Sequence, residues 1–184
     1  MEKNSSAPDR LKRILVTGPE STGKTELVQE LVQRFGGCAI PEYARSYVEH
    51  LGRPYTYEDV EHIAEQQVRD YKREYQGIQW LFFDTWLILT RVWFQVVYQR
   101  QPDWLDEQIR MASFDLVLLC STDIPWLPDP VRENGGARRE VLLERYKHEL
   151  SSFDMEWELV TGTGEERIRR ACQIIQQKYP DGTI

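Results

Sequence analysis

One eight-residue stretch, residues 18–25 (Gly-Pro-Glu-Ser-Thr-Gly-Lys-Thr), constrains the fold of this chain more than any other feature. It matches the pattern G-x-x-x-x-G-K-[ST] of a phosphate-binding loop. An apolar run rich in β-branched residues precedes it at residues 13–17, and apolar residues at helical spacing follow it at residues 26–35. Strand, glycine loop and helix form the context that such a loop requires, so the sequence predicts a polyphosphate site here.

The residue types of this loop suit a nucleoside triphosphate. Glycines let the backbone turn so that successive N–H groups point into one concavity, and the positive end of the following helix adds to the attraction for phosphate. The lysine reaches the β- and γ-phosphates, and the threonine hydroxyl is a ligand for Mg²⁺. We predict that ATP and Mg²⁺ are held by Gly18, Glu20, Ser21, Thr22, Gly23, Lys24 and Thr25.

Length and composition disfavour several classes of protein. The 184 residues predict one domain at residues 12–184, preceded by a flexible tail at residues 1–11. The formal net charge of −7 disfavours non-specific binding to nucleic acid. Three widely spaced cysteines, a polar N-terminus and the lack of a long apolar run predict a reduced, cytoplasmic protein without a membrane partner.

Strand-like and helical patterns alternate along the chain. Short apolar runs predict strands at residues 13–17, 38–40, 80–84, 114–120 and 157–160. Helical periodicity predicts helices at residues 26–35, 58–75, 87–98 and 140–150, with a last helix after residue 164. We therefore predict an α/β fold of the P-loop NTPase type, like a nucleoside or nucleotide kinase. Its sheet has five mostly parallel strands, helices cover both faces, and a lid segment is added.

Chemically suggestive residues follow several predicted strands. In doubly wound sheets, ligands bind at the carboxyl ends of the strands. Asp84 ends the third strand and Glu42 lies just past the second. Gly162 and Thr163 follow the fifth strand, where we predict main-chain contact with adenine. The alternative for these last two residues is a turn that needs glycine.

The acids at the strand ends are candidates for metal binding and catalysis. Asp84 has the position of an acid that orients Mg²⁺ together with Thr25, although it also suits the N-cap of the next helix. Glu42 is placed to take a proton from an acceptor hydroxyl, and Arg45 to hold a phosphate. The alternative for Glu42 and Arg45 is a surface ion pair. The sequence leaves open which of Glu42 and Asp84 is the base.

The segment at residues 121–139 has the composition of a lid, because prolines and glycines alternate there with arginines. Arginines that close over a γ-phosphate stabilise developing charge and exclude water. We predict this role for Arg132 and leave it open for Arg138 and Arg139. A long solvated loop is the alternative.

Three residues are candidates for contact with a flat acceptor ring. Trp86 and Tyr71 have aromatic faces on which such a ring can stack, and Gln66 has an amide that can hydrogen-bond to it. Ordinary core aromatics and an exposed helical glutamine are the alternatives.

Four motifs together resemble a known family. The phosphate loop is followed by Pro-Glu-Tyr-Ala-Arg at residues 41–45, Phe-Asp-Thr at residues 83–85, and Pro-Trp to Asp-Pro-Val-Arg within residues 125–132. In this order and spacing they are similar to the ribosylnicotinamide kinase domain of NadR-like proteins, an AAA-type ATPase domain. The resemblance spans about residues 12–178, nearly the whole chain.

The resemblance implies a P-loop kinase that uses MgATP to convert nicotinamide riboside into nicotinamide mononucleotide. It implies that Lys24 and Thr25 hold phosphates and Mg²⁺. It assigns the working acids to Asp84 and Glu42, and phosphate contacts to Arg45 and Arg132.

Two departures from the family pattern matter. Family members often have Asp-Thr-Asp where this chain has Asp-Thr-Trp at residues 84–86. The H-x-G-H signature of the adenylyltransferase part of full NadR proteins is absent from the chain, so the mononucleotide is the expected end product.

Two other functions remain as alternatives. One is a P-loop kinase for a different nucleoside or nucleotide, which the tryptophan at position 86 suggests. The other is a nucleotide-dependent regulatory ATPase that acts on a protein partner, because a phosphate loop alone does not specify an acceptor.

Overall fold

The computed structural model of the protein describes residues 10–126 and 137–180. The strands are β1 (Lys12–Thr17), β2 (Cys38–Ile40), β3 (Trp80–Asp84), β4 (Leu116–Cys120) and β5 (Trp157–Val160). The helices are α1 (Lys24–Phe35), α2 (Tyr43–His50), α3 (Tyr57–Lys72), α4 (Leu87–Trp93), α5 (Leu105–Met111), α6 (Arg138–Ser152) and α7 (Gly164–Lys178). A π-helix, Phe94–Tyr98, continues α4. Within the described ranges, every helix is too short or too polar to cross a lipid bilayer.

The five strands form one parallel sheet in the order β2-β3-β1-β4-β5. Strands β3 and β4 are buried at all of their positions, which explains their continuous apolar sequences. The predicted five-stranded α/β fold with helices on both faces is confirmed.

Side chains of β1 alternate between two cores. Ile14 and Val16 pack with α1 and α7 on one face of the sheet. Leu15 packs on the other face, with residues of α3, α4, α5 and α6. The central position of β1 places the loop that follows it in the middle of the carboxyl edge of the sheet, where parallel α/β folds bind ligands.

Several helix boundaries differ from those predicted. The segment at residues 87–98 divides into α4 and the π-helix, and the helix predicted at residues 58–75 ends at Lys72. Helices α2 and α5 are not among the helices predicted from the sequence. Both are short, with eight residues in α2 and seven in α5, so neither shows a full amphipathic repeat.

Candidate active site

The phosphate loop connects β1 to α1 in a tight turn. Gly18 lies so close to β4 that a Cβ atom on it would stand 2.8 Å from the carbonyl oxygen of Cys120, and its φ of 139° disfavours other residues. Helix α1 begins at Lys24, so the N–H groups of its first turn have no partner within the helix. Lys24 Nζ and Thr22 Oγ1 both donate to the carbonyl oxygen of Pro19, at 2.8 Å each. The loop is therefore a preformed anion cradle with its lysine folded against it.

Thr25 and Asp84 meet at the base of this cradle. The Thr25 hydroxyl donates to Asp84 Oδ2 at 2.6 Å. This contact follows from strand geometry, because Asp84 pairs with Val16 and is two residues beyond Phe82, which faces α1. Burial raises the pKa of Asp84, while its hydrogen bond to Thr25 and the charge of Lys24 act in the opposite direction.

The second carboxylate oxygen of Asp84 is a candidate metal ligand. Asp84 Oδ1 is buried and has no hydrogen-bond partner among the described residues. A buried carboxylate oxygen without a partner is costly unless a ligand binds it. An oxygen donor of this kind, beside a threonine hydroxyl and a phosphate cradle, suits the hard Mg²⁺ ion. Within the described ranges, no cluster of three acidic, histidine or cysteine side chains offers a metal site.

Glu42 lies at the carboxyl end of β2, directly before α2. Its side chain does not cap that helix and instead lines a cavity beside the phosphate loop. Burial raises the pKa of Glu42; Lys24 opposes this shift, and Asp84 reinforces it. The carboxylate is therefore available to accept a proton from a ligand in the cavity.

The cavity has a volume of about 500 Å³ and a lining of two chemically different kinds. All eight residues of the phosphate loop line it, together with Glu42 and Arg45. Apolar and aromatic side chains form a second part of the lining, called here the apolar part of the cavity. It comprises Tyr55, Leu89, Val92, Trp93, Val96, Val97, Leu142 and Tyr146.

Sequence reasoning missed the apolar part of the cavity, because its residues come from the loop before α3, from α4, from the π-helix and from α6. Tyr55 and Trp93 form an edge-to-face pair with ring centroids 4.8 Å apart. Burial raises the pKa of Tyr146, and the negative charges of Glu42 and Glu20 raise it further. An acceptor would therefore meet aromatic rings and a negative potential together.

Arg45 lines the cavity and also forms an ion pair within α2. Its Nε donates to Glu49 one helical turn further on, at 2.8 Å. Burial raises the pKa of Glu42 and of Asp84, and the positive charge of Arg45 opposes both shifts. Arg45 thus contributes positive potential at both acids.

The structure does not bring Gln66, Tyr71 or Trp86 to the cavity, and this corrects their predicted placement. Thr85 adopts a left-handed conformation with φ of 66°, which turns the chain directly after Asp84. The Trp86 indole therefore enters the core, where it is 2% exposed and donates to the carbonyl oxygen of Gln67 at 3.1 Å.

Tyr71 and Gln66, both on α3, also have partners away from the cavity. Tyr71 packs against Trp86 and hydrogen-bonds to the backbone of Ser113. The Gln66 amide donates to Asp70 at 2.8 Å. The aromatic residues that do reach the cavity are Tyr55, Trp93 and Tyr146.

Gly162 and Thr163 lie at the end of β5 and do not line the cavity. The Gly162 N–H donates to Asp123 Oδ2 at 2.7 Å, so this turn joins the loop after β4. Contact of these two residues with adenine stays a prediction.

The arginines of the predicted lid segment differ in their placement. Arg132 lies outside the described residues. Arg138 is exposed at the start of α6, whereas Arg139 is only 4% exposed and contacts backbone carbonyl groups. The described part of residues 121–139 thus includes one arginine that is already buried.

Comparison with known proteins supports the resemblance inferred from the motifs. The chain is 30% identical over 157 residues to the trifunctional NAD biosynthesis/regulator protein NadR of Salmonella typhimurium, covering 79% of this chain and 38% of that protein. The chain thus spans well under half the length of this curated relative.

Solved structures show the same fold. A NadR protein crystallised in complex with NR has a TM-score of 0.77 at 23% identity, covering 91% of this chain and 50% of that one. Deoxyadenosine kinase from M. mycoides, solved with products, has a TM-score of 0.64 at 16% identity, covering 90% of this chain and 99% of that one. At these identities the likeness establishes the fold alone.

A family model described as an AAA domain matches residues 13–167, which include Asp84 and all of the cavity-lining residues, among them the phosphate loop and Glu42. The resemblance to NadR-like proteins is confirmed at the level of family and fold. The chain belongs to this AAA domain family.

Proposed function

We propose that this protein is an ATP-dependent kinase that phosphorylates the 5′-hydroxyl of nicotinamide riboside and yields nicotinamide mononucleotide. One observation carries the proposal: a single cavity joins a phosphate cradle to an acceptor-sized space, with the Glu42 carboxylate close to the cradle. Relatedness to NadR and the fold shared with a NadR protein crystallised with NR support this choice of acceptor. We also propose that residues 12–184 act as one kinase domain.

The apolar part of the cavity suits a pyridinium nucleoside. Tyr55, Trp93 and Tyr146 offer aromatic faces, and a cationic ring near such a face gains about 0.5–2 kcal/mol. Glu42 and Glu20 add negative charge close to Tyr146. A neutral base would gain less from this environment, which favours nicotinamide riboside over other nucleosides.

The proposed reaction uses residues of this chain in separate roles. The phosphate loop and Lys24 bind the ATP triphosphate, so Lys24 must leave the Pro19 carbonyl for phosphate oxygens. The ribose 5′-oxygen forms a bond to the γ-phosphorus as the bond to the β–γ bridging oxygen breaks, and ADP leaves. Glu42 accepts the hydroxyl proton, since Asp84 is committed to Thr25.

Thr25 and Asp84 are the residues that would hold Mg²⁺, which supplies charge neutralisation for the phosphates. Arg45 would add positive charge near the transferring group. Arg132 stays a predicted phosphate contact.

The test is a coupled assay of purified protein with MgATP and nicotinamide riboside, with the nucleotide product identified by chromatography. We expect one nicotinamide mononucleotide per ADP. Lys24→Ala should lower turnover by at least about 10³-fold, because it removes the main positive charge at the γ-phosphate. Lys72→Ala, at an exposed lysine of α3, is the matched control and should keep full activity.

A panel of purine and pyrimidine nucleosides distinguishes the alternatives. If another nucleoside has the higher kcat/KM, the protein is a kinase with a different acceptor. If no nucleoside is phosphorylated and ATP turnover depends on a protein, the regulatory ATPase alternative replaces the kinase.

A further inference from the structure

Arg167 is buried behind the phosphate loop, away from the reacting groups. It lies on α7, is 2% exposed, and Nη1 donates to the carbonyl oxygen of Thr22 at 2.6 Å. Nε donates to the Gly162 carbonyl at 2.8 Å, and Nη2 to the Ser121 carbonyl and hydroxyl oxygens at 3.0 Å each. One guanidinium group thus ties the phosphate loop to the ends of β4 and β5.

Arg139 approaches the neighbouring peptide of the same loop. It is 4% exposed, and Nη2 donates to the carbonyl oxygens of Ile124 at 2.8 Å, Thr122 at 3.1 Å and Ser21 at 3.4 Å. Two buried guanidinium groups therefore contact the carbonyl oxygens of two consecutive loop residues.

Peptide planarity converts these contacts into an orientation of the N–H groups. In a trans peptide, the C=O of one residue and the N–H of the next point in opposite directions. When Arg167 fixes the Thr22 carbonyl outward, the Gly23 N–H must point the other way. The contact of Arg139 with the Ser21 carbonyl orients the Thr22 N–H in the same manner. Thr22 and Gly23, whose N–H groups are oriented in this way, both line the cavity.

The charge of Arg167 is only partly balanced. The Asp123 carboxylate lies 3.9 Å from it, is itself 43% exposed, and also accepts hydrogen bonds from Ser121 and Gly162. Positive charge this close to the loop strengthens the attraction for a bound polyphosphate.

We propose that Arg167, together with Arg139, is a positioning residue that holds the N–H groups of the phosphate loop in their phosphate-binding orientation. The inference rests on the proposed function only in that ATP is the bound nucleotide. It assigns a role in nucleotide binding to a residue on α7, about 145 positions along the chain from the loop that it orients.

The test compares Arg167→Met, which removes the charge at similar size, with Arg167→Lys, which keeps it but lacks the branched donor geometry. Titration calorimetry gives the Kd for MgATP and for inorganic tripolyphosphate, and steady-state kinetics give KM for each substrate. Arg170→Met, at an exposed arginine of the same helix, is the matched control.

We expect Arg167→Met to raise the Kd for MgATP about 10- to 100-fold, the effect of a misplaced positioning group. The Kd for tripolyphosphate should rise by a similar factor, because the lost interactions are those with the phosphates. KM for the acceptor should stay unchanged. Arg167→Lys should restore part of the affinity. A purely structural role would lower Tm in Arg167→Met while leaving the Kd of the folded protein unchanged.

Wild-type affinity for MgATP in folded Arg167→Met and Arg167→Lys would overturn the inference. If Arg167→Met does not fold, Arg167→Lys and Arg139→Met decide in the same assay. A wild-type protein that binds MgATP but phosphorylates no nucleoside would refute the proposed kinase function alone, so the two failures are distinguishable.

Discussion

Glu42 is the residue whose charge state should control turnover. Burial raises its pKa above the ordinary value of 4.5, although Lys24 and Arg45 oppose the shift. A general base must be unprotonated, so kcat/KM should fall as the pH is lowered through this raised pKa. Glu42→Gln should lower kcat by about 10²- to 10⁴-fold and abolish this acidic limb, while the Kd for MgATP stays the same.

The measurement is the pH–rate profile of the wild type, of Glu42→Gln and of the control Glu74→Gln, which changes an exposed glutamate. An acidic limb that persists unchanged in Glu42→Gln would move the base assignment to Asp84.

Sequence reasoning identified residues that carry a local signal. The phosphate loop is a local motif, and Asp84 was proposed because it ends a short apolar run, at the edge of the sheet where parallel α/β folds bind ligands. Trp86 was misplaced because the left-handed turn at Thr85 leaves no sequence signal in a residue other than glycine or asparagine. Arg167 was missed because three of its hydrogen-bond partners are backbone carbonyl groups, which any residue type provides.

At the scale of elements, Asp59 joins α2 to α3. Its carboxylate accepts hydrogen bonds from both Arg53 Nη atoms, from the Tyr47 hydroxyl and from the Thr56 N–H. With Thr56 it forms the capping box of α3. Arg53 first, and the backbone of Thr56 after it, hold the pKa of Asp59 well below its ordinary value of 3.8. Its contribution to stability is therefore present above pH 3.8 and is lost as the pH falls below that value.

We expect Asp59→Asn to lower the free energy of unfolding by about 1–2 kcal/mol at neutral pH, through loss of the cap and of charged hydrogen bonds. Because Tyr55 lines the cavity just before α3, KM for the acceptor should rise while KM for ATP stays unchanged. Urea denaturation at several pH values measures the stability. If the free energy of unfolding falls as steeply with acid in Asp59→Asn as in the wild type, other carboxylates cause that fall.

Elements with a complete periodic or apolar signal were predicted within a few residues, as the strands and α1 show. The signal fails where tertiary contacts decide the geometry. The change from α4 to the π-helix occurs within one apolar run, and it places Val96 and Val97 at the cavity although both are more than 40% exposed. An apolar residue that packs in the core and an apolar residue that binds a ligand give the same sequence pattern. The pattern alone therefore does not identify a binding surface.

At the scale of the whole molecule, the cavity gathers residues from the loop after β1, from α2, from α4 with the π-helix and from α6. A nucleotide held there should therefore cross-link parts of the fold that lie far apart in sequence. At 100 times its Kd, a ligand that binds only the native state stabilises it by about 2.7 kcal/mol.

For a chain of 184 residues, that energy corresponds to a rise in Tm of about 5–11 °C with MgATP. Lys24→Ala should lose most of this shift, because the ammonium group is the main cation at the phosphates, and the control Lys72→Ala should keep it. Scanning calorimetry at matched ionic strength separates specific binding from general salt effects. An equal Tm shift in wild type and Lys24→Ala would mean that the nucleotide binds outside the phosphate loop. A further rise in Tm on adding nicotinamide riboside would show that both ligands bind the native protein at the same time.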